Sequence, residues 1–544
     1  MAEEGRGCLF LLLLFVGVAL ISKAWEWVRS WPWMVKAGGV MVFGTILVVW
    51  WITKRRNKPA PPRATSHGSA AWGTVRDMMS SHIAPKAQWA KYVRRGPAVL
   101  VLGRVNLNGD KATESFDNRF FVHDTHVLTI APTGAGKGVG AVIPNLLDYP
   151  GSAFILDVKG ENYAVTADAR RRMEQAVYLL DPFSVTGEKS PKNSFNPLDR
   201  LDPSSPDVVG ESAALVDMLV ITNERERGDH WTESAKDLLR GLAVYVAATA
   251  PQEKRNLGEI RRLLTSAPDE WRKTLENMSF AGEMGCGMVA RSANVLAGKP
   301  EKERGSVVST AQRHTAFLDD PRISASLSKS DFSFDWLKRE PPISVYLAIP
   351  MDKIESQSRF LRVVFGAAQS AVMASSDQPT SKVLFLLDEF GQLGYMPNVE
   401  TGVSLLRGYG GMYWLFVQDL GQLKPVYPKW QSIMANTAKH VFGTADLDTA
   451  KYISESLGNT TVQFETKSNN SHNSSSGWQS SSGSGSATSQ QYAARALLTP
   501  DEVMRKSRWP LILIAGQPPF WIDRLTYYID PDYSGKAAPN PFRR

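Results

Sequence analysis

The feature that most constrains this chain is the stretch His126 to Val142, His-Val-Leu-Thr-Ile-Ala-Pro-Thr-Gly-Ala-Gly-Lys-Gly-Val-Gly-Ala-Val. It reads as a short apolar strand from Val127 to Ala131, a turn of small residues, and a helix opening at about Lys137. Glycines let successive backbone N–H groups turn inward, and a helix N-terminus adds positive potential at the same spot, so the layout is that of a phosphate-binding loop. Thr133, Gly134, Ala135, Gly136, Lys137, Gly138 and Val139 are the candidate cradle for a nucleoside triphosphate, with the Lys137 ammonium on the β and γ phosphates. The match to G-x-x-x-x-G-K-[ST] departs at two positions. Ala131 stands for the first glycine, which a strand end tolerates. Gly138 stands where a Ser or Thr hydroxyl normally binds Mg²⁺, so the metal must draw that ligand from water or Thr133. On these residues alone, an ordinary glycine-rich turn is the competing reading.

A second stretch, about 250 residues on, counts against that alternative. Val383-Leu384-Phe385-Leu386-Leu387 reads as a central strand, and Asp388 and Glu389 stand at its C-terminal end. In a loop NTPase the first carboxylate, Asp388, serves the Mg²⁺ and its waters, and the second, Glu389, orients and deprotonates the attacking water. Met412 to Val417 is a further strand ending in Gln418, an amide placed to sense a γ phosphate or to cap a helix. Arg407, just before it, is either a charge at a helix C-terminus or an arginine finger for a neighbouring subunit's nucleotide. Asp157-Val158-Lys159-Gly160-Glu161 follows another apolar run, Ala153 to Leu156, and reads equally as a solvated turn or as part of the site.

Apolar strands separated by helix-length stretches predict a parallel α/β sheet covered on both faces, with chemistry at the C-terminal strand ends. Strands are expected at Val99–Gly103, Arg119–Val122, Val177–Leu180, Ser344–Ile349, Leu511–Ala515 and Arg524–Ile529. From about Asp199 to Leu327 the pattern is helical instead: Val208–Val220, Thr232–Ala248, Leu257–Ser266, Asp269–Met278 and Met288–Leu296. The expected organisation is therefore an anchor (1–57), the first part of a nucleotide-binding domain with its linker (58–198), an inserted all-α domain (199–330), and the rest of the nucleotide-binding domain (331–544). Within the last part, Lys467 to Gln490, dominated by Ser, Asn, Gly and Gln, is expected to be disordered or a long surface loop. His230 opens a helix and carries no sign of metal ligation.

The anchor rests on two apolar runs, Cys8 to Ser22 and Ala37 to Ile52, flanked by Trp25, Trp27, Trp31, Trp33, Trp50 and Trp51. Lys54, Arg55, Arg56, Lys58 and Arg63 follow, which puts the body of the chain on the cytoplasmic side. A cleaved signal peptide is disfavoured by Glu3 and Glu4 and by the lack of a small-residue cleavage site after Ile21. A net charge of +8, from 62 basic and 54 acidic residues, fits a membrane surface or nucleic acid without singling out either. The two cysteines, Cys8 and Cys286, exclude a disulfide framework.

Taken together, these motifs resemble the coupling-protein ATPases of conjugative type IV secretion systems, the TraG/TraD-like group, over nearly the whole chain. The resemblance rests on the membrane hairpin, residues 131 to 140, Asp157 to Glu161, Phe195-Asn196-Pro197-Leu198, Leu386 to Phe390, Gln418 with Gln422-Leu423, and Trp430 to Gly458. Loops reading Gly-Lys-Gly occur in that group, which softens the objection from Gly138. The resemblance implies a RecA-like P-loop NTPase domain with an inserted all-helical domain, ATP and Mg²⁺ as cofactors, and a homo-hexamer with ATP at the subunit interfaces. It further implies an inner-membrane location in a bacterium, a cargo of relaxase-bound single-stranded DNA or secreted effector proteins, and secretion-channel components as partners. By motif, Lys137 would bind phosphate, Asp388 serve the metal, Glu389 polarise water, Gln418 sense the γ phosphate and Arg407 act across an interface. Two rivals stand beside this reading: a double-stranded-DNA translocase of the chromosome-segregation type, and a receptor in which nucleotide locks a ring without motor activity.

Overall fold

The computed structural model describes residues 67–74, 77–78, 83–85, 99–105, 119–220, 230–476, 479–505 and 509–542, with backbone only for 83–85, 119, 468–476 and 479–487. The predicted membrane hairpin lies outside the described residues. Among those described, no helix is long and apolar enough to cross a membrane.

The strands, in chain order, are β1 (Ile83–Pro85), β2 (Leu100–Val105), β3 (Arg119–His123), β4 (Val127–Ile130), β5 (Ala153–Asp157), β6 (Ala176–Leu180), β7 (Ile343–Ala348), β8 (Val383–Leu387), β9 (Gly411–Val417), β10 (Ala438–Val441), β11 (Asn459–Ser476), β12 (Gln479–Ala496), β13 (Leu511–Leu513) and β14 (Phe520–Asp523). Seven of them form a parallel block in the order β10-β4-β9-β8-β5-β7-β6, and β13, β14, β2, β3 and β1 extend it as an antiparallel wing beyond β10.

The central parallel strands β5, β8 and β9 are almost wholly apolar because both faces are covered, and their alternation divides the side chains between two cores. Phe154 and Leu156 of β5, Val383, Phe385 and Leu387 of β8, and Tyr413, Leu415 and Val417 of β9 enter one core. Ala153 and Ile155, Leu384 and Leu386, and Met412, Trp414 and Phe416 enter the other. The first core is closed by helices that include Val208–Leu219, His230–Thr249 and Ser358–Ala374. The second is closed by the helical turn Gly138–Val142, its continuation Ile143–Asp148, and the helix Glu161–Arg172. Trp414 is fully buried, and its indole N–H donates to Thr129 Oγ1 at 2.8 Å, so its ring is a core piece that ties β9 to β4.

Between β6 and β7 the described residues form helices joined by turns and contain no strand. The helices there include Glu301–Thr315 and Pro321–Ser326, which the sequence pattern did not reveal. Glu301–Thr315 buries only Val307, Ala311, His314 and Thr315, too sparse a stripe to read.

Two expectations are corrected. Of Lys467 to Gln490, expected as disordered or loop, the described residues 467–476 and 479–490 lie in a two-stranded antiparallel ladder in which β11 and β12 pair in register from Asn459↔Ala496 to Ser476↔Gln479. A hairpin is held by backbone hydrogen bonds, which a Ser- and Gly-rich run supplies as well as any other, so composition was a poor guide. The second is Arg524–Ile529, expected as a strand. The last strand is the earlier Phe520–Asp523, and the chain from Arg524 leaves the sheet.

Candidate nucleotide site

In the parallel block, β9 separates the strand that leads into the small-residue turn, β4, from the strand that ends in the acidic pair, β8. Adjacent strands lie about 4.8 Å apart, so the two ends stand about 10 Å from each other with β9 between them. All three strands point the same way, with Ile130 opposite Val417 and Leu415 opposite Leu387. Their C-terminal ends therefore present the turn, Gln418 and Asp388-Glu389 on one edge.

The turn has the conformation its glycines permit. Gly134 and Gly136 take φ of 79° and 87°, left-handed values that cost other residues about 1 kcal/mol or more. Lys137 caps the helical turn, and its ammonium lies between the two carboxylates, 2.9 Å from Asp388 and hydrogen-bonded to Glu389. Burial works against the charge on Lys137, but Asp388 and Glu389 outweigh it and hold its pKa above the ordinary lysine value. Glu389 itself sits at φ 55°, an uncommon conformation for a non-glycine residue, and its other oxygen accepts from Gln418 Nε2 at 3.3 Å. Such strain persists where neighbours fix it, and here it aims a carboxylate into the cleft. Four sequence-predicted residues, Lys137, Asp388, Glu389 and Gln418, thus form one connected group.

The remaining candidates fall as follows. Thr133 and Gly134 are exposed at the tip of the turn, and Ala135, Gly138 and Val139 are partly buried along it. A Cβ at Gly138 would meet nothing within 4 Å, so the space of the missing hydroxyl is open. Arg407 lies in the single turn Leu406–Tyr409 before β9, at the strand end opposite Gln418. Seven strand residues, about 23 Å, separate it from the cleft. There its charge acts on Asp124 and His126. Asp157 is no solvated turn. It is buried at the end of β5, accepts from the Tyr163 N–H at 2.8 Å, and is pushed up to about 7 by burial, with Asp388 adding to the shift.

Sequence reading assigns no role to two contributors, Gln422, which enters only as part of the family motif, and Arg524. Gln422 Oε1 accepts from the Gln418 N–H at 3.0 Å and so fixes the backbone that carries the amide; its signal was the spacing Gln418-Asp419-x-x-Gln422, with Asp419 capping the short helix Leu420–Leu423. Arg524 donates to the Ala135 carbonyl at 2.6 Å, and nothing in a local pattern links residues 389 positions apart.

Among the described residues, no group of three or more His, Cys, Asp or Glu is arranged to hold a metal. One carboxylate beside a phosphate loop suits Mg²⁺, which keeps several waters and takes further ligands from phosphate oxygens.

A family model described as Type IV secretory system Conjugative DNA transfer matches residues 77–543. The chain belongs to this family. Its members include the coupling proteins of conjugative transfer, and the chain is 29% identical over 515 residues to the conjugal transfer protein TraG of Escherichia coli, covering 87% of this chain and 78% of that one. Among solved structures, the plasmid coupling protein TrwB in complex with a non-hydrolysable ATP analogue matches with a TM-score of 0.57 and 15% identity, covering 86% of this chain and 96% of TrwB. TrwB in complex with ADP and Mg²⁺ matches with a TM-score of 0.54 at 15% identity, covering 74% and 85%. At these identities the likeness to TrwB is one of fold: α/β with a large parallel sheet.

Proposed function

We propose that this coupling protein is a membrane-anchored ATPase, binding ATP and Mg²⁺ between the turn at Thr133–Val139 and the Asp388-Glu389 pair, and using hydrolysis to deliver conjugative cargo to the secretion channel. The observation that carries the reading is the Lys137 ammonium held by both carboxylates across the ends of β4 and β8. An ammonium kept charged in a cleft and satisfied only by acids is a cation waiting for a polyanion. When phosphates arrive, Lys137 transfers to them, and Asp388 and Glu389 are released for their own roles. Bound Mg²⁺ would neutralise charge on the β and γ phosphates, with Asp388 holding its waters. Glu389 then has no ammonium partner and is free to orient a water and accept its proton, while Gln418, hydrogen-bonded to it, reports on the γ phosphate.

Arg407, far from its own cleft, suits the role of a finger offered to a neighbouring subunit, which supports a ring with nucleotide at the interfaces, a hexamer by family precedent. The two apolar runs before residue 58 support the inner-membrane anchor, and the helical segment between β6 and β7 is the natural reader of relaxase-bound single-stranded DNA or effector protein. The test is a mating assay with Lys137→Ala in the full-length chain. Transfer is expected to fall to background while the protein still fractionates with the membrane. Wild-type transfer would defeat the motor role.

A further inference from the structure

The glycines around Lys137 are more numerous than a phosphate loop needs, and the structure gives the surplus a use. The Arg524 side chain, just beyond β14, lies against the loop. A Cβ on Gly140 would stand 2.9 Å from both Arg524 Cγ and the Leu525 carbonyl oxygen, and one on Gly136 would stand 2.7 Å from Arg524 Nη1. Gly140 weakens the helical turn it sits in. Its missing side chain makes room for the backbone at Leu525 and for the arginine, which reaches the Ala135 carbonyl, where Nη1 donates at 2.6 Å.

The backbone beneath Arg524 is held firmly. Arg104 donates from Nε and Nη2 to Asp530 at 2.7 and 2.6 Å, with both side chains nearly fully buried. Tyr527 and Tyr533 pack with Ile143 and Leu147 of the helix that follows the loop. Farther on, Lys536 pairs with Asp148 at 2.6 Å, and the Ala538 N–H donates to the Val165 carbonyl at 2.9 Å.

A trans peptide points its C=O and N–H in opposite directions. Holding the Ala135 carbonyl on Arg524 therefore fixes the Gly136 N–H in the opposite direction, away from the guanidinium. Because Gly136 follows that peptide and sits at φ 87°, its freedom about φ would otherwise let the peptide flip at little cost. We propose that Arg524 is a positioning residue for the triphosphate, locking the Ala135–Gly136 peptide in the anion-binding orientation and adding a second cation to the loop. The inference rests on the nucleotide reading above and deepens it: the C-terminal segment sets how well the loop holds phosphate.

The test compares the full-length wild type with Arg524→Ala, Arg524→Lys and Lys137→Ala. ADP and adenosine affinities, the melting temperature without nucleotide, and KM and kcat for ATP are measured. Arg524→Ala is expected to weaken ADP binding and raise KM about tenfold, as for one charge-assisted hydrogen bond. Adenosine affinity, kcat and the nucleotide-free melting temperature should stay close to wild type, and Arg524→Lys should recover most of the loss. ADP affinity within twofold of wild type for Arg524→Ala, alongside abolished binding in Lys137→Ala, would overturn the inference alone. So would a loss that comes with a lowered melting temperature and no rescue by lysine. A Lys137→Ala variant that binds like wild type would overturn the nucleotide reading, and this inference with it.

Discussion

Replacing Glu389 by Gln should produce two effects of opposite sign, and the geometry sets the size of each. Without nucleotide, the Glu389 carboxylate holds the Lys137 ammonium, and the two side chains are only 10% and 18% exposed. A hydrogen bond between charged groups in such a place is worth about 1.5 to 3 kcal/mol, and it must be surrendered before Lys137 can reach a phosphate. Asp388 still holds the ammonium at 2.9 Å, so removing one of two competitors returns only part of that energy. About 1 kcal/mol is a reasonable share, which corresponds to roughly fivefold tighter nucleotide binding. Turnover moves the other way, because a glutamine cannot take a proton from water, and loss of a general base costs about 10²- to 10⁴-fold. The assay pairs calorimetric titration with a non-hydrolysable ATP analogue and steady-state hydrolysis by the same preparation. Turnover within threefold of wild type would refute the assignment of the base. Weaker binding would refute the claim that Glu389 competes with phosphate for Lys137.

Three further outcomes follow from the same cleft. Gly138→Ser should fold normally, since a Cβ there meets no atom within 4 Å, and should lower the Mg²⁺ concentration needed for half-maximal hydrolysis; an unchanged Mg²⁺ titration would place the metal elsewhere. Asp157 is held at about 7 in the folded chain against an ordinary aspartate value near 3.8, so the folded state keeps a proton that the unfolded chain has lost. Its contribution to stability therefore declines as pH rises from about 4 to about 7, and Asp157→Asn should gain melting temperature relative to wild type between pH 5 and pH 8; parallel profiles would contradict this. Gln422→Ala removes the acceptor for the Gln418 N–H and should lower turnover about tenfold while leaving nucleotide affinity within twofold, as for a group that positions the amide and does not touch phosphate; a matching loss of affinity would show direct contact instead.

What was legible in the sequence was whatever is written in short runs. Val383–Leu387 is apolar on both faces because a central parallel strand is covered twice, so the strand and the two acids at its end could be read together. The same holds for the loop, whose glycines mark its conformation. Arg524 was out of reach because its partner is the Ala135 carbonyl, and a backbone acceptor leaves no trace in the residue that supplies it. The mistaken strand at Arg524–Ile529 has a related cause: Leu525 and Tyr527 are buried, but against a helix and not within a sheet, and a run of six cannot tell the two apart. Asp157 read equally as a solvated turn or as part of the site because sequence gives no account of how deep a strand end lies.

The central claim is that a triphosphate occupies the gap between residues 134–138 and the pair Asp388-Glu389. The most direct measurement is an experimental structure of the full-length chain with Mg²⁺ and a non-hydrolysable ATP analogue. The account predicts phosphate density cradled by that loop, with Lys137 swung from the two carboxylates onto the β and γ phosphates. Density in another place, such as the cavity lined by Ile130, Lys439 and Tyr452, with Lys137 still bound to Asp388 and Glu389, would contradict it.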